Sequence, residues 1–281
     1  MRRRITLIVA LAAGCLAVVA AAASGAGPGP GIDQGARGLT RGGERYLTFP
    51  VGSATAIAVV NRNGGTFRRS MSIAGTWGIP LVAFDGTTDG LLPDGRTIVL
   101  GQPVYTAHGG LRKQTSFTLI DVRKMRRVNT ITLKGAYSFD ALSPNGRYMY
   151  LIQYVSSEDP QEYRVRAYDL QNGRLLMKIV SDKRSWETTM HGSAITRTAA
   201  DGWAYTLYGT GPAKPFIHAL DTRHVAAVCI DLPWKTSPQH IVDYRLRIDG
   251  EGRLVVRGPR GRSLAVIDRQ NYRVLSAVTN P

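Results

Sequence analysis

The chain has 281 residues, and 36 Lys and Arg against 20 Asp and Glu give it a formal charge of +16. Cys15 lies in an N-terminal apolar run and Cys229 in the body of the chain, so a disulfide framework is excluded and stability must come from packing. The bases, 29 Arg and 7 Lys, are spread along the sequence; they favour an anionic envelope polymer or lipid surface without marking a patch.

At the N-terminus Arg2, Arg3 and Arg4 precede an uncharged apolar run from Ile5 to Ala23. Such a segment is a secretory signal or a membrane anchor. Small residues from Ala22 to Ala26 favour cleavage; a retained run would tether the protein through residues 5–23, and Ala12-Ala13-Gly14-Cys15 offers lipidation at Cys15 as a third alternative. In each case the arginines stay inside, so the expected location is extracytoplasmic, either secreted or anchored to the outer side of the cytoplasmic membrane. Nucleic acid is therefore not an expected partner. Removal of residues 1–24 leaves 33 bases and 20 acids, 33 − 20 = +13. Residues 25–43 hold eight glycines with Pro28 and Pro30, a composition expected of a flexible linker with a reach of roughly 20–30 Å.

Residues 44–281 read as one domain of repeats. The turns Pro93-Asp94-Gly95-Arg96, Pro144-Asn145-Gly146-Arg147, Ala200-Asp201-Gly202-Trp203 and Gly250-Glu251-Gly252-Arg253 place their glycines 51, 56 and 50 residues apart. Strands ending in Asp121, Asp169, Asp221 and Asp268 follow at offsets of 26, 23, 19 and 16. A strand-built period near 50 predicts an all-β propeller whose blades bury their faces only by stacking. The units are 44–73, 77–133, 136–180, 186–232 and 234–278, about five blades of four antiparallel strands. The first lacks a clear innermost strand, and six blades or an irregular ring is the alternative. With strands lettered A to D from the axis outward, the A–B and C–D turns are short, whereas the B–C and D–A connections carry the irregular lengths. One face is therefore loop-rich, where functional residues concentrate.

At Phe117-Thr118-Leu119-Ile120-Asp121-Val122 and Ser263-Leu264-Ala265-Val266-Ile267-Asp268-Arg269-Gln270-Asn271-Tyr272-Arg273-Val274-Leu275 the chain resembles the YVTN-type, WD-repeat-like propellers. The resemblance implies a secreted bacterial β-propeller of unassigned function. No Trp-Asp dipeptide occurs, so the WD hydrogen-bond network is not expected.

The D–A connections carry Trp77, Trp186 and Trp234, either a platform for a ligand or partner or packing between blades. Six residues before each A–B glycine stand Asp89, Asp140, Thr196 and Leu246. The two acids should lie side by side near the axis, as a cation site, an acid/base pair or acceptors of loop N–H groups. Asp85 to Gly90 begins like a calcium loop, but Arg96 stands where the bidentate Glu belongs, so no metal is expected. His108, His191, His218, His224 and His240 lack metal-ligand spacing. His191 falls in a D–A connection, within reach of a ligand; His218 reads as a satisfied strand residue. Cys229 reads as a small buried apolar residue. No nucleophile elbow, phosphate loop or HExxH helix is present, and no catalytic residue or cofactor is expected. The sequence thus favours an exported, non-enzymatic binding or interaction propeller of the cell envelope, with a protein or envelope-polymer partner on the loop-rich face. The alternatives are a propeller enzyme, lactonase-like or quinoprotein-like, and a purely structural envelope module.

Overall fold

The computed structural model describes residues 27–35, 37–63, 65–234, 237–279 and 281. The apolar run with Cys15, and with it the signal, anchor and lipidation alternatives, lies outside them.

Among the described residues every long element is a strand; only Ile241–Asp243 and Pro259–Gly261 form short 3-10 turns. Blade I is Leu39–Arg41, Glu44–Val51, Ala54–Asn61 and Phe67–Ala74. In blade II, Thr97–Gly101, Gln114–Asp121 and Arg126–Lys134 pair in order. Blade III is Tyr137–Leu142, Tyr148–Tyr154, Glu162–Asp169 and Arg174–Val180, joined by Met190–His191. Blades IV (Ser193–Ala200, Trp203–Gly209, Phe216–Asp221, Ala226–Asp231) and V (Arg245–Ile248, Leu254–Arg257, Ser263–Ile267, Val274–Ala277) are antiparallel four-strand meanders. Alternate residues of each strand enter different clusters: Ile98 and Leu100 pack toward blade I, Val99 toward blade III. The four main apolar clusters each join neighbouring blades, which is why no blade can bury its faces alone. The protein is a β-propeller of about five blades.

The strand-terminal aspartates occupy corresponding places. Each accepts backbone N–H groups of the C–D turn it opens: Asp121 from Arg123 and Lys124, Asp169 from Gln171 and Asn172, Asp221 from Arg223 and His224, Asp268 from Gln270. These are Asx turns. In blades II and III the other carboxylate oxygen takes the arginine of the A–B turn, Arg96 at 3.0 Å and Arg147 at 3.1 Å, which ties the two turns on one face together.

The segment expected to be a flexible linker is instead part of the fold from Gly27 onward. Leu39–Arg41 supplies the innermost strand of blade I, and Gly31–Asp33 pairs with Ile79–Leu81. Farther back, Pro28 O accepts the N–H of Ala194 at 2.8 Å. The glycines serve close approach rather than freedom: a Cβ on Gly27 would meet the Tyr154 ring and lie 2.9 Å from Pro160 O. The inner strand of blade II is interrupted. Gly78 bridges Gly101 and Leu91 bridges Ile98, while residues 82–89 between them cross to blade IV, where Phe84 N–H and Asp85 N–H bond Ala194 O and Ile195 O at 2.8 and 3.0 Å. Residues 27–33 and 82–89 thus lie among the inner strands, where an open propeller has its channel.

Candidate functional site

Asp140 and Asp89 do approach one another, but the group that settles their chemistry is an arginine. Each of two inner strands carries a bulge, in blade III between Phe139 and Ala141 and in blade IV between Ala194 and Thr196. A bulge inserts one residue and reverses the alternation beyond it. Arg197 consequently sits opposite Thr206, on the side of blade IV that faces blade III, where strict alternation would place Thr196. Its Nη1 donates to Asp140 Oδ1 and to Asp140 O, both at 2.7 Å, and both side chains are buried. Asp140 Oδ2 has no hydrogen-bond partner among the described residues. Asp89 accepts the N–H of Gly90 at 2.7 Å; burial raises its pKa, Arg197 opposes that shift and Asp140 adds to it. Burial works against the charge on Arg197, but Asp140 and Asp89 outweigh it and its pKa is raised. The positive charge that two adjacent carboxylates need is thus supplied within the chain. Asp85 is likewise committed: Thr87 N–H and Oγ1 bond its Oδ1, and Thr196 Oγ1 bonds its Oδ2 at 2.6 Å.

The tryptophans separate into two kinds. Trp77 and Trp234 are buried between blades, with indole N–H groups donating to Ala74 O and Val278 O at 2.8 Å. The hydroxyl of Thr55 fixes the entry at Trp77, and that of Thr115 does the same at Tyr137, so these aromatics are equivalent packing residues. Trp186 is different, 89% exposed on the connection 181–192. That connection folds back so that Met190 and His191 pair with Tyr163 and Glu162, extending blade III on its loop-rich side. His191 Nε2 stands 3.0 Å from Asp159 Oδ2. Trp186, His191, Asp159, Glu162, Arg164 and Phe216 line a cleft of about 730 Å³. Two of the six residues singled out in the sequence therefore meet on the loop-rich face, two near the axis, and two serve packing. Cys229 also borders the cleft, but burial pushes its thiol pKa up to about 12, so it is not a nucleophile at neutral pH.

His218 is a strand residue, as expected, but not a satisfied one. It is buried between blades III and IV, near Tyr208, and its Nε2 has no partner among the described residues. Burial lowers its pKa to about 4, with Asp140 opposing and Arg197 reinforcing the shift. The folded state therefore resists protonation at pH values where the unfolded chain accepts it, so stability present above pH ~6.5 is lost as pH falls toward ~4, by about 3 kcal/mol. Urea unfolding at pH 7 and pH 4.5 should show this loss in the native protein and a much smaller one in His218→Leu; equal losses would assign the acid sensitivity elsewhere.

The geometry defines a β-propeller with an ion-paired axis and a cleft at Trp186 on its loop-rich face. No protein-family model matches the chain, and no curated protein matches it in sequence. Among solved structures it is similar to hydrazine synthase of Kuenenia stuttgartiensis, with a TM-score of 0.52 and 13% identity over 85% of this chain and 72% of that one. It is also similar to the dihydro-heme d1 dehydrogenase NirN, with a TM-score of 0.50 and 11% identity over 89% of this chain. The chain spans about half of NirN, 48% of its length. These likenesses support the propeller fold.

Proposed function

We propose that the protein is an exported, non-enzymatic interaction propeller of the cell envelope that holds a protein partner on its loop-rich face. The observation that carries this reading is the Trp186 cleft. A large aromatic left in solvent beside the partly buried Met190 and Phe216, with a polar rim at Asp159, Glu162 and His191, is the composition of an interface centre rather than of a blade seam. A photo-crosslinking residue at position 186 in cells should give one discrete adduct, absent when it replaces Leu275 on the outer strand of blade V. Adducts of equal intensity from both positions, or none from 186, would reject the site.

A further inference from the structure

The bases that look spread in sequence converge in space on the short-turn face, opposite the loop-rich one. Arg62 and Asn63 lie in the C–D turn of blade I and residues 122–125 form that of blade II, and the guanidinium of Arg69 donates to Val122 O, clamping the two together. Around this clamp Arg62, Arg123, Lys124, Arg126 and Arg127 are exposed, and none has an acidic partner among the described residues. The nearby acids are occupied. Glu44 holds Arg68 and Arg69 at 3.6 and 2.8 Å, and Asp121 holds Arg96 and the N–H groups of its own turn. Beside the patch Gly42, Gly43, Asn61, Arg62, Asn63 and Arg68 line a shallow cleft of about 690 Å³.

We propose that this edge of blades I and II is a docking surface for a linear polyanion whose repeat carries phosphate. Four of the five unpartnered bases are arginines, whose planar forks match phosphate oxygens two at a time. The five lie at two neighbouring C–D turns and the start of the strand Arg126–Lys134, whereas the corresponding turns of blades III and IV each expose one arginine without an acidic partner among the described residues, Arg174 and Arg223. On blades IV and V the exposed acids of the same face, Asp201 and Glu251, are ion-paired with Arg269 and Arg253, each at 2.8 Å, so those blades offer no comparable run of unpartnered charge. A flat anionic bilayer would call for positive charge over the whole face, whereas a chain following the I–II edge needs only this one run. Surface and cleft lie on opposite faces, so the polyanion and a protein bound at Trp186 would not compete.

Fluorescence anisotropy with labelled inorganic polyphosphate tests this. The triple variant Arg123→Gln/Arg126→Gln/Arg127→Gln touches no paired side chain and should keep the native melting temperature. It should bind about tenfold or more weakly, with the slope of log affinity against log salt reduced by about 2, at ~0.7 per removed cation. The control Arg260→Gln/Arg262→Gln/Arg273→Gln removes the same charge on blade V and should keep most of the affinity. Equal losses in both variants would reduce the effect to net charge and overturn the surface. Tight binding to anionic phospholipid vesicles, lost in the first triple variant while polyphosphate binding is not, would overturn the polymer in favour of a membrane.

Discussion

Arg197→Met should destabilise the propeller by about 3–5 kcal/mol, the cost of leaving one buried charge without its partner, and lower the melting temperature by roughly 10 °C for a domain of this size. The side chain is packed between blades III and IV with Asp140, whose second oxygen already has no donor, so water cannot easily replace the guanidinium. Asp140→Asn should cost a comparable amount. The double variant Arg197→Met/Asp140→Leu should recover much of the loss, because a buried pair replaced by apolar side chains is close to neutral. Asp89→Asn has the opposite sign. Burial raises the pKa of that carboxyl, so its ionised form opposes folding at neutral pH and the amide should leave stability unchanged or improve it. Thermal unfolding of the four variants separates this account from an axial ligand site: if Asp140→Asn were as stable as the native chain, the pair would not be holding blades III and IV together.

What the sequence made legible follows from which features are local. Gly95, Gly146, Gly202 and Gly252 need positive φ angles of 62°, 70°, 77° and 76°, a demand met by residue type alone, and so the period showed through. Asp121, Asp169, Asp221 and Asp268 act within three residues of themselves and were equally visible. Arg197 was not, because nothing in the residue types of Ser193–Ala200 marks the bulge: alternation followed from Ala194, which packs against blade III, would put Thr196 on that face, and the bulge between Ala194 and Thr196 puts Arg197 there instead. The same kind of limit applied to the tryptophans. Trp77, Trp186 and Trp234 have matching places in the repeat, but only the fold-back of residues 181–192 keeps Trp186 in solvent. The clustering of Arg62 with Arg123–Arg127 depends on blades I and II standing side by side, a contact between residues some sixty positions apart. Composition misled most at residues 27–43, where glycine and proline suggested freedom and the fold uses them for close packing.

That segment yields the second large effect. A chain beginning at Gly27 should fold with native stability, whereas one beginning at Leu39 should lose about 5 kcal/mol or fail to fold. Its removal strips Ile79–Leu81 of their only described strand partner and leaves the N–H of Ala194 without Pro28 O. It also takes away the carbonyl of Asp33, which accepts the buried Thr48 hydroxyl at 2.8 Å. Each orphaned buried group costs about 1–3 kcal/mol, and several are orphaned together. Gly27→Val provides a version without truncation: the new side chain would have to displace the Tyr154 ring, so it should destabilise while Gly43→Val, whose Cβ meets nothing within 4 Å, should not through packing. Urea unfolding of the two truncated chains decides the matter. A chain starting at Leu39 that unfolds at the native midpoint would return residues 27–38 to the status of a linker, and the axis of the propeller would then have to be held by its inner strands alone.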